Sequence, residues 1–124
     1  MSEFDGEAFV AQFNSVWDNH DLDGIVEMFT DDVVFEASFG TEPCGERAIG
    51  HEASRSLAAK IFARVPDLHF VELRHYVTPE IAVVEAVTTG TPVGGKPYEA
   101  HLVDVLTLRD GKIAAKRSYR KGTV

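Results

Sequence analysis

Beyond Pro66 the sequence falls into four strand-length runs rich in β-branched and aromatic residues, separated by turn signals. Residues 68–77 lead into Thr78-Pro79-Glu80, residues 81–91 into Gly94-Gly95-Lys96-Pro97, and residues 98–108 into Arg109-Asp110-Gly111; residues 112–120 complete the series. Proline presets φ and glycine accepts positive φ, so runs joined in this way predict an antiparallel meander. A sheet of this kind must bury an apolar face, and what precedes it has to supply the cover.

The first part of the chain reads as that cover. Phe9, Phe13, Val16 and Trp17 recur at helical spacing behind Asp5 and Glu7, whose charge suits a helix N-terminus. Asn19-His20-Asp21 breaks the pattern and caps a shorter helix in which Leu22, Ile25, Val26 and Phe29 share a stripe ended by Thr30-Asp31-Asp32. Residues 33–39 read as a strand with Phe35, Ala37 and Phe39 on one side, followed by a turn-rich loop at residues 40–45. From about residue 46 to 64, Ile49, Ala53, Leu57 and Ile61 recur every fourth position, which predicts the longest helix, stopped by Pro66.

The order α-α-β-α-β-β-β-β predicts an α+β fold of three helices in which a strongly curved, antiparallel or mixed sheet wraps the long helix. No linker, repeat or biased tract interrupts it, so residues 1–124 are expected to form a single domain. The runs at residues 81–87 and 102–108 are apolar on both faces, whereas one face of an antiparallel sheet is usually wet. A homodimer through the sheet is the expected cover for the second face.

Charge and composition remove several functions. Lys plus Arg is 12 against 20 for Asp plus Glu, giving a formal charge of -8 that repels phosphate backbones and argues against nucleic-acid binding. No apolar run approaches the roughly 18 residues of a spanning helix, and no charged-then-apolar leader opens the chain, so no membrane partner is expected and the location is read as cytoplasmic. Cys44 is the single cysteine, and His20, His51, His69, His75 and His101 form neither an HxH nor an HExxH pair, so neither a metal nor any other cofactor is expected.

The stretch DLDGIVEMFTDDVVFEASFGTEPCGERAIG, residues 21–50, together with VDVLTLRDGKI, residues 103–113, resembles the ketosteroid isomerase and SnoaL-like branch of the nuclear transport factor two-like superfamily. The resemblance covers nearly the whole chain. It implies a cone-shaped fold in which a bent sheet and three helices enclose a deep apolar pocket, often within a homodimer.

In the isomerases of that family an aspartate moves a proton while a tyrosine and a protonated aspartic acid hydrogen-bond the developing oxyanion. The resemblance places the protonated acid at Asp104, within Val103-Asp104-Val105. Its neighbours Leu102, Leu106 and Leu108 are apolar, and desolvation favours the neutral, donating form of a carboxyl group. A structural role, satisfied by a tyrosine or the backbone, is the competing reading.

The family's base falls at Ala37 and its tyrosine at Phe13, neither of which can move a proton. Glu36 is adjacent but alternates to the other strand face. Authentic ketosteroid isomerisation is therefore not expected. The acid that SnoaL-type cyclases carry late in the final strand is also missing from Arg117-Ser118-Tyr119-Arg120-Lys121, and Leu102 stands where limonene epoxide hydrolases have an arginine.

The pocket lining expected from the resemblance is Phe13, Trp17, Phe29, Phe35, Ala37, Phe39 and Leu106, although the aromatics taken singly are better read as ordinary core packing. Glu85 is a possible second carboxylate if it faces inward, and His75, Tyr98 and Tyr119 are possible donors whose direction the sequence leaves open. The resulting expectation is a small apolar organic ligand in a cone-shaped pocket, with isomerase- or cyclase-like acid-base chemistry donated by Asp104. A non-catalytic ligand-binding or dimerisation domain is the alternative.

Overall fold

The computed structural model describes residues 3–122. Helix α1 (Gly6–Asp18) opens on Asp5, whose carboxylate accepts a hydrogen bond from the amide of Ala8, and buries Phe9, Val10, Phe13, Val16 and Trp17. Helix α2 (Leu22–Glu27) is capped in the same way by Asp21 through the amide of Gly24. Two strands follow, β1 (Phe29–Glu36) and β2 (Arg47–Ile49), then helix α3 (His51–Arg64) and the meander β3 (His69–Val77), β4 (Ile81–Gly90), β5 (Tyr98–Arg109) and β6 (Lys112–Arg120). Among the described residues no helix is long and apolar enough to cross a membrane.

The six strands form one sheet in the order β2-β1-β6-β5-β4-β3. The meander is antiparallel throughout, and β1 joins its far edge by lying parallel to β6. The sheet is therefore mixed. Helix α1 packs on β3 at one edge and α3 packs on β1 and β2 at the other, so a space is left between helices and sheet. The buried side chains form one contiguous cluster in which Val10, Ile25, Phe29, Val33, Phe35, Leu106 and Ile113 are all but sealed from solvent.

Two expectations from the sequence change here. Residues 47–49 are not the first turn of the long helix but strand β2, paired antiparallel with β1, and Ile49 is 64% exposed. Gly50 separates the two elements at φ 86°, ψ 172°, a conformation that side chains disfavour, and its carbonyl accepts the first helical bond from Ser54. The buried stripe of α3 is Ser54, Leu57, Ala58 and Phe62, with Ile61 half-buried beside it, while Ala53 is exposed. A strict four-residue spacing drifts about 40° per step around a helix of 3.6 residues per turn, whereas alternating three and four holds one face.

The other change concerns β1. It begins at Phe29, so Thr30, Asp31 and Asp32 lie inside the strand, and it ends at Glu36, which leaves Ala37 and Phe39 in the loop beyond it. A register shift between Phe29 and Val34 in the pairing with β6 accommodates the acidic run. That loop folds back on itself through hydrogen bonds from the Ala37 amide to the Glu46 carbonyl and from the Glu46 amide to the Phe39 carbonyl.

Candidate functional site

The space between helices and sheet is a cavity of about 340 Å³. Its walls come from α1 (Phe13, Asn14, Trp17), the loop after β1 (Ala37, Ser38, Phe39), the end of α3 (Ile61, Arg64) and the inward faces of β3 to β6. Strand alternation decides which meander residues contribute. In β4 the buried series Ala82, Val84, Ala86, Thr88 faces in, and Val83, Glu85 and Val87 face out.

Register then assembles the polar part of the wall. Asp104 on β5 stands opposite Ser118 on β6, and Leu106 stands opposite Lys116. Lys116 and Ser118, two apart on one strand, therefore flank the same carboxylate. The Lys116 ammonium donates to Ser118 Oγ at 2.7 Å and to Asp104 Oδ1 at 3.2 Å, and Ser118 donates to the same Oδ1. Asp104 Oδ2 accepts no hydrogen bond from the described residues.

This cluster sits against aromatic rings. Lys116 Nζ is 4.3 Å from the ring centroid of Trp17 and 4.8 Å from that of Phe35, and its side chain is only 5% exposed. A cation over ring faces gains from their quadrupoles, which offsets part of the cost of burying it. Trp17 in turn meets Phe35 edge-on at 5.6 Å and Phe62 at 5.8 Å, so its indole is held from several sides. Thr88 contributes one more polar atom to the lining: its Oγ1 is buried and has no hydrogen-bond partner among the described residues.

Of the residues singled out from the sequence, Phe13, Trp17, Phe35, Ala37, Phe39 and Asp104 line the cavity. Phe29 and Leu106 do not. Both are sealed in the core behind it, at 1% and 0% exposure. The surroundings of Asp104 also differ from the expectation of a lone acid among leucines: it faces an ammonium and accepts at Oδ1, so donation at this wall comes from Lys116.

The remaining candidates separate cleanly. Tyr98 lines the cavity, with the Arg120 guanidinium 4.8 Å over its ring, whereas Tyr119 is 57% exposed on the outer sheet face. Glu85 also points outward and is bound by Arg74 at 2.7 Å, so it is no second carboxylate for Asp104. Glu36 turns away from the cavity onto Arg47. His75 lies behind α1, where Nδ1 donates to Glu72 and Nε2 to Glu7; these bonds hold its proton above the ordinary imidazole range.

Lys116 is the residue that sequence reasoning missed. The signal was partial: a lysine at 116 shares strand parity with Ser118, but an unbulged hairpin about Asp110-Gly111 would set it on the face opposite Asp104, and the shift between Thr107 and Leu108 brings the two to one face. It is obscured because a lysine in a strand ordinarily occupies an exposed position.

A family model for the SnoaL-like domain matches residues 10–116, which spans α1 to β6. This chain belongs to the SnoaL-like domain family. Solved structures similar to this SnoaL-like domain include a hypothetical protein with a ketosteroid isomerase-like fold from Catenulispora acidiphila, in complex with trimethylamine, at 18% identity. That match covers 93% of this chain and 86% of the other, with a TM-score of 0.80. A putative SnoaL-like polyketide cyclase from Jannaschia sp. CCS1 shares 21% identity over 98% of this chain and 90% of its own, at a TM-score of 0.78. TerC, co-crystallised with polyporic acid, shares 17% over 93% and 90%, also at 0.78. At these identities the likeness is one of fold. No curated protein sequence matches this SnoaL-like domain.

Proposed function

We propose that the cavity binds a small organic molecule with an apolar body and a carbonyl or related oxygen, and that the Asp104–Ser118–Lys116 cluster anchors that oxygen. The observation that carries this reading is the cluster itself: a hydrogen-bonded ion pair set into a wall otherwise made largely of aromatic and aliphatic side chains. Related folds crystallised with trimethylamine and with polyporic acid support an organic ligand of modest size.

The chemistry open to the cluster is proton transfer next to a carbonyl. Lys116 can donate to an oxygen that gains charge, and Asp104 Oδ2, which accepts no hydrogen bond from the described residues, can take a proton. The donor role that the sequence resemblance gave to Asp104 thus passes to Lys116. A second reading is favoured by Phe13 and Ala37, which face the cavity without any group able to move a proton: a domain that holds its ligand and leaves it unchanged.

Native mass spectrometry against a panel of steroid-like and polyketide-like ketones and enones tests the binding, with Asp104→Asn and Lys116→Met alongside. Selective retention by the wild type supports the anchor, and retention by none of the proteins overturns it. Deuterium uptake from solvent at the α-carbon of a retained ketone, lost in Asp104→Asn, supports catalysis. Retention without uptake supports the binding-only domain.

We also infer that two copies pair through the outer face of the sheet. Val83 stands opposite Tyr76 and Val105, Val103 opposite Tyr119 and Val71 opposite Val87, so apolar pairs lie side by side over the outer face, in rows that end on Arg117, Glu85 and His101. The charged pair among them, Glu85 and Arg74, is already neutralised internally.

A further inference from the structure

Charge is distributed unevenly over the molecule. The chain has 20 acidic against 12 basic residues, but the charged lining of the cavity is Arg64, Lys96, Lys116 and Arg120 against Asp104 alone. Lys116 is buried, whereas Arg64, Lys96 and Arg120 are exposed, which sets one cation in the interior and three at the opening. Arg64 lies 5.3 Å over the Phe39 ring and Arg120 lies 4.8 Å over Tyr98.

Among the described residues most cations away from the cavity are neutralised, Lys112 and Lys121 excepted, whereas the three at the opening are not. Away from the cavity, Arg47, Arg55, Lys60, Arg74, Arg109 and Arg117 each have a carboxylate oxygen within 4.0 Å. Among the described residues, no carboxylate comes that close to Arg64, Lys96 or Arg120. A guanidinium held over an aromatic ring keeps its edge N–H donors, and these match a carboxylate two at a time. In a chain so rich in acid, an opening whose lining, among the described residues, holds cations and no carboxylate concentrates positive potential where a ligand enters.

We infer that the cavity selects organic anions: molecules with an apolar, ring-sized body that packs against Trp17, Phe35 and Phe39 and a carboxylate, or an oxygen anion of comparable strength, that meets the arginines and Lys116. The inference rests on the ligand-binding reading above and specifies the charge of the ligand. The aromatic wall disfavours a hydrated inorganic ion, and the cations disfavour a positively charged amine, for which Asp104 would be the single counter-charge.

Three compounds sharing one body separate these terms: 2-naphthoate, the neutral 2-naphthamide and the cationic 2-naphthylmethylammonium, titrated into the full chain by calorimetry at neutral pH and low salt. The anion is expected to bind about tenfold more tightly than the amide, with the cation weakest, and added salt should narrow the gap. The Arg64→Gln, Arg120→Gln double variant should lose most of the preference for the anion, its ratio of naphthoate to naphthamide affinity falling toward one. Equal affinities for naphthoate and naphthamide, or tightest binding of the cation, would overturn the inference while leaving the cavity reading in place. Binding of none of the three would overturn both.

Discussion

Lys116 Nζ and Asp104 Oδ1 lie 3.2 Å apart on neighbouring strands, with side chains 5% and 11% exposed. Removing one partner strands the other charge in a poorly solvated wall, whereas removing both leaves an apolar wall. Lys116→Met is therefore expected to destabilise the fold by roughly 2 kcal/mol or more, even though Asp104 keeps Ser118. Lys116→Met combined with Asp104→Leu should recover much of that loss. Urea denaturation of the single and double variants measures both, and a double variant as unstable as the sum of the singles would contradict the pairing.

The loop that closes the cavity depends on Gly45. Its φ is +79°, and a Cβ placed there would come within 2.1 Å of the Ala37 carbonyl oxygen, a backbone atom that cannot swing aside. Gly94 has a similar φ of +75° and nothing within 4 Å. Gly45→Ala should therefore cost well over the roughly 1 kcal/mol of conformational strain that Gly94→Ala pays alone. It should also weaken any ligand held by Ala37 and Phe39. Thermal melts of the two variants make the comparison, and equal shifts would show that the loop yields.

How much of this was legible in the sequence follows from what repeats and what does not. The meander was, because turn residues and two-residue alternation are local signals, and α1 was, because Phe9, Phe13, Val16 and Trp17 keep one face over about two turns. Strand β2 was not: three residues are too short to show alternation, and Arg47, Ala48 and Ile49 suit a helix equally well. Phe29 and Leu106 were placed in the pocket because side-chain type cannot tell a wall from the core behind it. Asp104 was recognised as an exception in an apolar strand, but its partner required the β5–β6 register, which a hairpin bulge between Thr107 and Leu108 shifts.

Thr88 offers a test of occupancy. Its Oγ1 is buried and has no partner among the described residues, so Thr88→Val, which exchanges the hydroxyl for a methyl of similar size, should stabilise the free protein by up to about 1 kcal/mol. If a ligand uses that hydroxyl, the same variant should bind it more weakly. A higher melting temperature together with lower affinity would identify Thr88 as a ligand-facing group, and lower stability would show that the hydroxyl already has a partner.

His75 ties stability to pH. Its hydrogen bonds to Glu72 and Glu7 raise its affinity for a proton above the ordinary 6.5, so its contribution is complete below about that pH and fades as pH rises through the raised value in the folded protein. For Glu72, burial favours the neutral form, but hydrogen bonds from His75 and Asn14 outweigh it and hold the carboxyl below its ordinary 4.5. Its contribution is complete above that value and fades as pH falls through the lowered one. Melting temperature should therefore decline on the alkaline side of 6.5, and His75→Gln should flatten that decline while weakening the acid limb less, because Asn14 still serves Glu72. An unchanged alkaline slope in the variant would remove His75 as its source.

The outer face of the sheet carries the last prediction. Val71, Tyr76 and Tyr119 are 54%, 61% and 57% exposed in the single chain, and the half-buried Val83, Val87, Val103 and Val105 lie between them. A stable pair of chains buries about 800 Å² on each partner, and rows of valine flanked by tyrosine suit the centre of such a contact. Val103→Glu places a charge in the middle row beside Glu85, where Arg74 already has its partner, so repulsion and desolvation act together against association. Sedimentation velocity should show the wild type as a dimer at micromolar concentration and Val103→Glu as a folded monomer with an unchanged circular dichroism spectrum. Because the substitution lies on the face opposite the cavity, the variant should still bind the ligand retained by the wild type, and a wild type that sediments as a monomer would leave these rows without the partner proposed for them.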